Sequence, residues 1–390
     1  MTDFEVAIVG GGHAGVELAA SLRQRGFAGA VALLCEDAAL PYDRPPLSKQ
    51  LLAGSTSQDR LALRSESFYE QVGIDLLLGQ PAVMLDPEGR LTLADGRTVS
   101  FARCVLATGA GARRLGLPGE SLPGVFHLRS LADSLALRET LSPGARLVVI
   151  GGGFLGLEAA SAARALGAEV TVVETAPLLM AGKVSKAVAA AFADLHRAAG
   201  IELRLATRVS RVLGESRAEG VETGEGERLA ADAVLVAVGA TPREQLAREA
   251  GLACDDGIIV DGTLRASRGA VFAIGDCARP GGQRRLESVH TAVSQARCLA
   301  AAFAGATPPA VRAPYFWSEQ QGVKLQIAGC LDPALASEEV RVGEPPRGFA
   351  VYRLQEGRLA TVEAVGQPAA FIRGQQLIGR ATRAELPSST

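Results

Sequence analysis

The sequence predicts an α/β fold with two Rossmann-like domains and a C-terminal α+β domain. Three observations predict it. The loop Gly10-Gly11-Gly12-His13-Ala14-Gly15 has a second copy 141 residues further on, Gly151-Gly152-Gly153-Phe154-Leu155-Gly156. Each copy follows an apolar strand (residues 5–9 and 146–150) and opens an alanine-rich helical stretch. Each is then followed by a second apolar run that ends in an acidic residue, Glu36 after residues 31–34 and Glu174 after residues 170–173. One G-x-G-x-x-G is weak evidence, because glycine-rich turns are common. With its strand, helix and acidic residue it is the full dinucleotide-binding fingerprint, and here it occurs twice. Glycine permits the tight turn and lets the backbone approach a pyrophosphate, which the positive end of the helix holds, while the acidic residue accepts from ribose hydroxyls. Two such sites in one chain imply two dinucleotides and electron transfer between them.

The elements follow in order. After the first βαβ unit comes a proline-stiffened connection, Pro41-Tyr42-Asp43-Arg44-Pro45-Pro46-Leu47-Ser48-Lys49. Residues 73–103 alternate short apolar segments with Asp-Pro, Pro-Glu-Gly and Asp-Gly turns, as antiparallel strands would. A buried-type strand, residues 104–107, ends in Thr108-Gly109-Ala110, and a later one, residues 234–238, runs into Gly239-Ala240-Thr241-Pro242. An apolar strand ending in a Thr/Gly turn thus follows each βαβ unit, which suggests duplication. Residues 271–278 form a strand ending in Gly275-Asp276, and residues 288–304 a helix. From Pro314 on, short strands with turns at Asp332-Pro333, Pro345-Pro346 and Glu356-Gly357 predict the α+β domain, and residues 385–390 read as a frayed tail. The expected domains are 1–112 and 240–313 (two parts of the first), 113–239 (the second) and 314–390 (the third).

At 390 residues the chain has room for two or three cores, and 48% hydrophobic with 21% charged residues is ordinary for a soluble α/β enzyme. A net charge of −2 argues against general nucleic-acid binding. No apolar run approaches the roughly 18 to 20 residues that span a bilayer, so no membrane association is expected. The first strand begins within about four residues of Met1, leaving no room for a signal peptide, and a cytoplasmic location is expected. Six scattered cysteines without C-x-x-C spacing read as reduced thiols, and no metal-ligand cluster stands out among the four histidines.

The two fingerprints, the Ala107-Thr108-Gly109 turn and the Ala273-Ile274-Gly275-Asp276 segment together resemble the two-dinucleotide-binding-domain flavoproteins of glutathione-reductase-like architecture. The segments Asp43-Arg44-Pro45-Pro46-Leu47-Ser48-Lys49 and Tyr315-Phe316-Trp317-Ser318 are more specific. They resemble the FAD-dependent NADH:ferredoxin reductases of bacterial ring-hydroxylating dioxygenase and cytochrome P450 systems, the putidaredoxin reductase-like family. The resemblance runs from residue 4 to about 380. Arg243 departs from the asparagine this family often has after Thr241-Pro242.

The resemblance implies that the first fingerprint binds FAD and the second NADH, with a [2Fe–2S] ferredoxin as the electron acceptor. It gives FAD contacts at Gly10, Gly12, His13, Ala14, Gly15, Glu36, Arg44, Lys49, Val83, Ala107, Thr108, Gly109, Arg129, Asp276 and Val289. NADH falls to Gly151, Gly153, Phe154, Leu155, Gly156, Glu174 and Gly239. Lys49 would lie under the flavin and pair with Glu158, and Trp317 would stand beside the flavin where the partner docks. These three are the candidate catalytic residues. His13 is expected to touch the cofactor without doing chemistry, since hydride transfer from nicotinamide to flavin needs stacking rather than a general base. Arg284, Arg285, Arg297 and Arg312 are candidates for docking an acidic ferredoxin.

Other classes can be weighed on the same residues. Disulfide oxidoreductase chemistry needs a redox-active cysteine pair beside the flavin, and residues 36–54 contain no cysteine. An NADH oxidase or monodehydroascorbate-type reductase differs in acceptor, so peroxide yield against ferredoxin reduction separates them. A flavin-binding interaction protein of the apoptosis-inducing-factor type would turn over slowly with every acceptor.

Overall fold

The computed structural model describes residues 2–310, 312–345 and 347–387. The chain divides into two compact units, one of residues 1–44, 58–111 and 240–312, the other of residues 45–57, 112–239 and 313–390.

In the first unit the strands Ile74–Leu77, Val31–Leu34, Thr2–Val9 and Thr98–Leu106 lie side by side in parallel. Val31–Leu34 is buried along its whole length, as a central strand covered on both faces must be. On its other edge Thr98–Leu106 serves two neighbours. Its first half pairs antiparallel with Arg90–Leu93, and its second half pairs parallel with Val271–Ala273. The sequence expectation for residues 73–103 is therefore corrected at one end: Ile74–Leu77 is parallel, and the antiparallel meander begins at Ala82–Asp86. The apolar run alone could not distinguish the two, because direction is set by the neighbouring strand. The helices His13–Gln24 and Val289–Phe303 pack against each other over this sheet.

The second unit holds a five-stranded parallel sheet in the order Glu202–Arg204, Glu169–Val173, Arg146–Ile150, Ala233–Val236, Val125–Phe126. The helices Phe154–Ala165 and Lys186–Ala198 contribute Leu157, Val188 and Phe192 to one core with Leu147, Val170 and Leu235. Residues 45–57 belong to this unit because Leu52 enters that core and the Leu47 carbonyl accepts from Ser134 Oγ at 2.7 Å.

The C-terminal segment is the expected α+β domain, a five-stranded antiparallel sheet (Tyr315–Gln320, Val323–Gly329, Arg358–Val365, Phe349–Gln355, Glu338–Gly343) with the helix Pro368–Leu377. Two hairpins close on Gln321-Gly322 and Glu356-Gly357, both residues of each at positive φ, which matches the strand twist. Pro346 and Ser388 to Thr390 lie outside the described residues. The tail is not frayed at residues 385–386: Glu385 closes a capping box with Thr382, and Leu386 is buried with Phe371 and Ala381. Among the described residues no helix is long and apolar enough to cross a membrane.

Candidate functional site: two glycine cradles and a buried Lys–Glu pair

Both glycine loops are built the same way. Gly10 and Gly151 have φ of 121° and 115°, and a Cβ on either would stand 2.2 or 2.4 Å from the carbonyl oxygen of Ala107 or Ala237. A Cβ on Gly15 or Gly156 would stand 2.0 or 2.2 Å from the carbonyl oxygen of its own loop's first glycine. These four glycines are demanded by the fold itself. The central glycines are different. Above Gly12 a Cβ would meet only Arg44 Nε at 3.8 Å, and above Gly153 only Lys183 Nζ at 4.0 Å. Gly12 and Gly153 cap the N-termini of His13–Gln24 and Phe154–Ala165, and neither supplies a side-chain bond to the free amides. Each loop thus presents an uncapped helix N-terminus, open space over its middle glycine and one cation at the rim. That donor set fits a pyrophosphate. The residues present therefore fit the two dinucleotides.

Around the first cradle the fold gathers much of what the sequence singled out. The Ala107-Thr108-Gly109 turn touches Gly10, and a Cβ on Gly275, at φ 76°, would stand 3.1 Å from the Ala14 Cβ, so the glycine lets the Gly275-Asp276 turn pack close to the first helix. Gln295 Oε1 accepts from the Gly275 amide at 2.7 Å and fixes that turn. His13 donates through Nε2 to Asp43 Oδ1 at 2.8 Å, which ties the proline-stiffened segment carrying Arg44 to the loop. Arg44 also lies over the Tyr42 ring, 5.3 Å from its centroid. Glu36 is exposed and pairs with Arg243, so the residue that departs from the family pattern meets the fingerprint's acidic residue. Thr108 Oγ1 donates to the Arg243 carbonyl at 2.6 Å. Val83 is 49% exposed on the edge strand Ala82–Asp86, and Val289 begins the helix that Ser288 caps.

Around the second cradle, Glu174 is held by its own loop. Its Oε2 accepts from the Gly152 amide at 2.6 Å and its Oε1 from the Ala176 amide at 2.7 Å. Phe154 packs on Phe316 with ring centroids 4.6 Å apart, and Leu155 is half-buried beside it. Gly239 is exposed, and its carbonyl accepts from the Arg113 amide at 3.0 Å. The Arg129 amide donates to Asp133 Oδ2 at 3.0 Å, within the cap of the helix Leu131–Thr140.

Lys49 and Glu158 form an ion pair with Nζ 2.7 Å from Oε2, their side chains only 13% and 6% exposed. Ser48 Oγ donates to the same oxygen at 2.6 Å, and Ser318 Oγ to Oε1 at 2.6 Å. A buried carboxylate with three donors, one of them cationic, is a satisfied group. Trp317, between Phe316 and Ser318, is half-buried, with the Tyr315 ring 6.2 Å away.

Sequence reasoning missed Ser48, Ser318, Lys183, Gln320 and His196. The two serines lie inside segments that carry the family resemblance, yet they reach Glu158 across 110 and 160 residues. No local pattern gives such a contact. The four arginines proposed for docking separate in the structure. The side chain of Arg285 is 6% exposed and bonded to the carbonyls of Asp256 and Asp276 and to Glu287, because it holds a loop together. It is not a docking cation. Arg297 pairs with Glu17 at 2.6 Å, while Arg284 and Arg312 are exposed.

All six cysteines are free. Cys35 packs beneath the first loop, where a Cβ on Gly11 would meet its Sγ at 2.5 Å, and burial pushes its thiol up to about 12. Such a thiol is a packing group and not a nucleophile.

His196 has 0% exposure, and burial holds its imidazole below the ordinary value of 6.5. The unfolded chain takes up a proton there as pH falls through 6.5 while the folded chain does not, so stability present above that pH is lost toward the lower folded value. Calorimetric melting temperature should therefore fall between about pH 7 and pH 5, and His196→Gln should flatten that fall. An equally steep fall in the variant would assign it to other groups.

This arrangement defines a flavin- and pyridine-nucleotide-dependent oxidoreductase. The chain belongs to the pyridine nucleotide-disulphide oxidoreductase family, whose model matches residues 4–296, and a reductase C-terminal model matches residues 315–388. It is 40% identical to rhodocoxin reductase of Rhodococcus erythropolis over 380 residues, 96% of this chain and 89% of that protein. It is 39% identical to the ferredoxin–NAD(+) reductase subunit of the benzene 1,2-dioxygenase system of Pseudomonas putida, covering 96% of this chain and 92% of that one. The crystal structure of the covalent putidaredoxin reductase–putidaredoxin complex superposes with a TM-score of 0.92 at 34% identity, over 96% of this chain and 92% of that one.

Proposed function

We propose that the chain passes electrons from NADH through FAD to a [2Fe–2S] ferredoxin that serves a ring-hydroxylating dioxygenase or a cytochrome P450. The overall reaction is NADH + 2 oxidised ferredoxin → NAD⁺ + H⁺ + 2 reduced ferredoxin. The observation that carries the reading is the pair of equivalent cradles, each with an open middle glycine and a cation at its rim. The relatives named above support the choice of acceptor. FAD, when bound, supplies the conversion of a two-electron hydride donor into single electrons.

In this reading residues 1–112 and 240–313 are the FAD domain, 113–239 the NADH domain and 314–390 the C-terminal domain. Gly10, Gly12, Ala14 and Gly15 open the first cradle, with Arg44 at its rim and His13 holding the Arg44 segment in place. Ala107 to Gly109, Asp276, Val289, Glu36, Val83 and Arg129 take the rest of FAD. Gly151, Gly153, Leu155 and Gly156 hold the NADH pyrophosphate, Lys183 adds its charge, and Phe154 and Gly239 line the way to the nicotinamide. Lys49 presents its ammonium to the flavin, Glu158 holds that ammonium in place, and Trp317 stands on the path to the acceptor. The location consistent with this chemistry is the cytoplasm.

Glu174 sets the choice of nicotinamide. A loop-anchored carboxylate repels a 2′-phosphate, and partial exposure reduces the discrimination to about tenfold to a hundredfold. NADH should exceed NADPH in kcat/KM by that factor. Glu174→Gln, which keeps one acceptor oxygen and drops the charge, should narrow the gap, and equal kcat/KM in the parent would remove the argument.

The reading is tested by anaerobic stopped-flow with NADH and a purified [2Fe–2S] ferredoxin. Ferredoxin should be reduced in catalytic turnover, with little peroxide formed in air. Trp317→Ala should slow delivery to ferredoxin and leave flavin reduction near normal. Peroxide as the main product would favour an NADH oxidase, and equal losses in both half-reactions would make Trp317 a packing residue.

A further inference from the structure

The hydrogen bonds that reach Glu158 continue behind Ser318 as a single row. Ser318 Oγ donates to Glu158 Oε1 at 2.6 Å and accepts from Gln320 Nε2 at 3.0 Å. Gln320 Oε1 accepts from His196 Nε2 at 2.9 Å. The direction of every bond is forced. A carboxylate only accepts, so the one proton of Ser318 goes to Glu158 and its oxygen takes the next bond as acceptor. The Gln320 amide, having given its NH2 to Ser318, has only its carbonyl left for His196. His196 therefore carries its proton on Nε2, and its Nδ1 is buried without a hydrogen-bond partner. Donors in a row polarise one another, most strongly where the interior is dry, and here the row ends on a charge.

Strand geometry builds this row. In Tyr315–Gln320 alternate side chains face opposite sides, so Ser318 and Gln320, 0% and 1% exposed, point into the unit together. Glu319 between them is exposed. The ionisable groups in the neighbourhood are thus Lys49, bonded to Glu158 itself, and His196 at the far end of the row.

We propose that Ser318 is the positioning residue of the Lys49–Glu158 pair. Its hydroxyl, oriented by Gln320 and His196, fixes the Glu158 carboxylate with Oε2 turned toward Lys49 and so decides where the Lys49 ammonium stands. A lysine has four rotatable bonds and many places to put its charge, so an acceptor locked from behind leaves it one. The functional part of this proposal rests on the reading that Lys49 serves the flavin.

The test compares Ser318→Ala and Ser318→Thr in the FAD-loaded protein, with two readouts. The first is the infrared antisymmetric carboxylate band of Glu158 at a fixed neutral pH, assigned by its loss in Glu158→Gln. Removing the hydroxyl that donates to Oε1 leaves that oxygen without its bond, so the band should shift in Ser318→Ala relative to the parent. Ser318→Thr keeps the hydroxyl and should restore the parent band position. The second readout is anaerobic flavin reduction. Ser318→Ala should lower the limiting rate about tenfold with the Kd for NADH unchanged, because the acceptor is misplaced and the binding surface is not. An unshifted band in Ser318→Ala, or a threonine variant that behaves like alanine, overturns the positioning role. A shifted band together with an unchanged reduction rate in both Ser318→Ala and Lys49→Met would instead sink the placement of Lys49 at the flavin.

Discussion

Gly12→Val is expected to give a folded, colourless protein. Residue 12 has an extended backbone, φ −84° and ψ −173°, which suits a β-branched residue, and its Cβ would meet only Arg44 Nε at 3.8 Å. The backbone and the space at the Cβ accept the substitution, but the added methyl groups fill the space a pyrophosphate needs over the helix N-terminus. FAD affinity should fall at least a hundredfold, roughly 3 kcal/mol, while the melting temperature of the FAD-free protein stays near that of the FAD-free parent. Gly15→Val is the contrasting case. Its Cβ would stand 2.0 Å from the Gly10 carbonyl oxygen and 3.2 Å from Leu33, so the fold itself must move, at a cost of roughly 3 kcal/mol or more. The pair separates a binding glycine from a folding glycine within one motif. Absorbance of the released flavin and calorimetry of the stripped protein check both, and full FAD occupancy in Gly12→Val would contradict the assignment of the first cradle.

The second large effect is expected at Lys49. Lys49→Met removes the cation from a carboxylate that is 6% exposed and leaves Glu158 with two hydroxyl donors alone. Stripping one partner from a buried pair costs roughly 3 to 5 kcal/mol, and the serines should hold the loss near the lower figure. Glu158→Gln should cost a similar amount by leaving the ammonium unpaired. The double variant should lose less than the two singles together, since neither buried charge then remains. Chemical denaturation of the four proteins measures that coupling. Strictly additive losses would show that the pair contributes nothing as a pair. In kinetics, Lys49→Met should slow flavin reduction by roughly tenfold to a hundredfold, the range expected when a positioned group at the reacting centre is lost.

The family name includes a disulfide, and this chain shows how the scaffold does without one. Residues 36–54, where that chemistry would place its cysteines, hold instead the proline-stiffened segment with Arg44, Ser48 and Lys49. The nearest thiol, Cys35, is buried with its ionisation pushed up to about 12. Two cations and a hydroxyl donor stand in the segment where a redox pair would otherwise act.

What the sequence determined by itself is what repeats locally. Each Gly-x-Gly-x-x-Gly loop, its preceding strand and its acidic residue lie within about thirty residues of one another, so the cradles, their strands and their helices could be read directly. The hairpin at Glu356-Gly357 and the helix capped by Ser288 were legible for the same reason. The tertiary structure alone decided the rest. The parallel direction of Ile74–Leu77 depends on its partner Val31–Leu34. The order of residues 385–386 depends on Phe371 and Ala381. Arg285 read as a surface charge and is a buried clamp, because Asp256 and Glu287 close around it. The Lys49–Glu158 pair was expected from the family resemblance and from no local pattern, and only the fold shows that Ser48 and Ser318 reach the same carboxylate from 110 and 160 residues away. Backbone geometry is set by a residue's immediate neighbours in the chain. A buried charge is set by whichever groups the folded chain can bring to satisfy it, however distant their positions in the sequence.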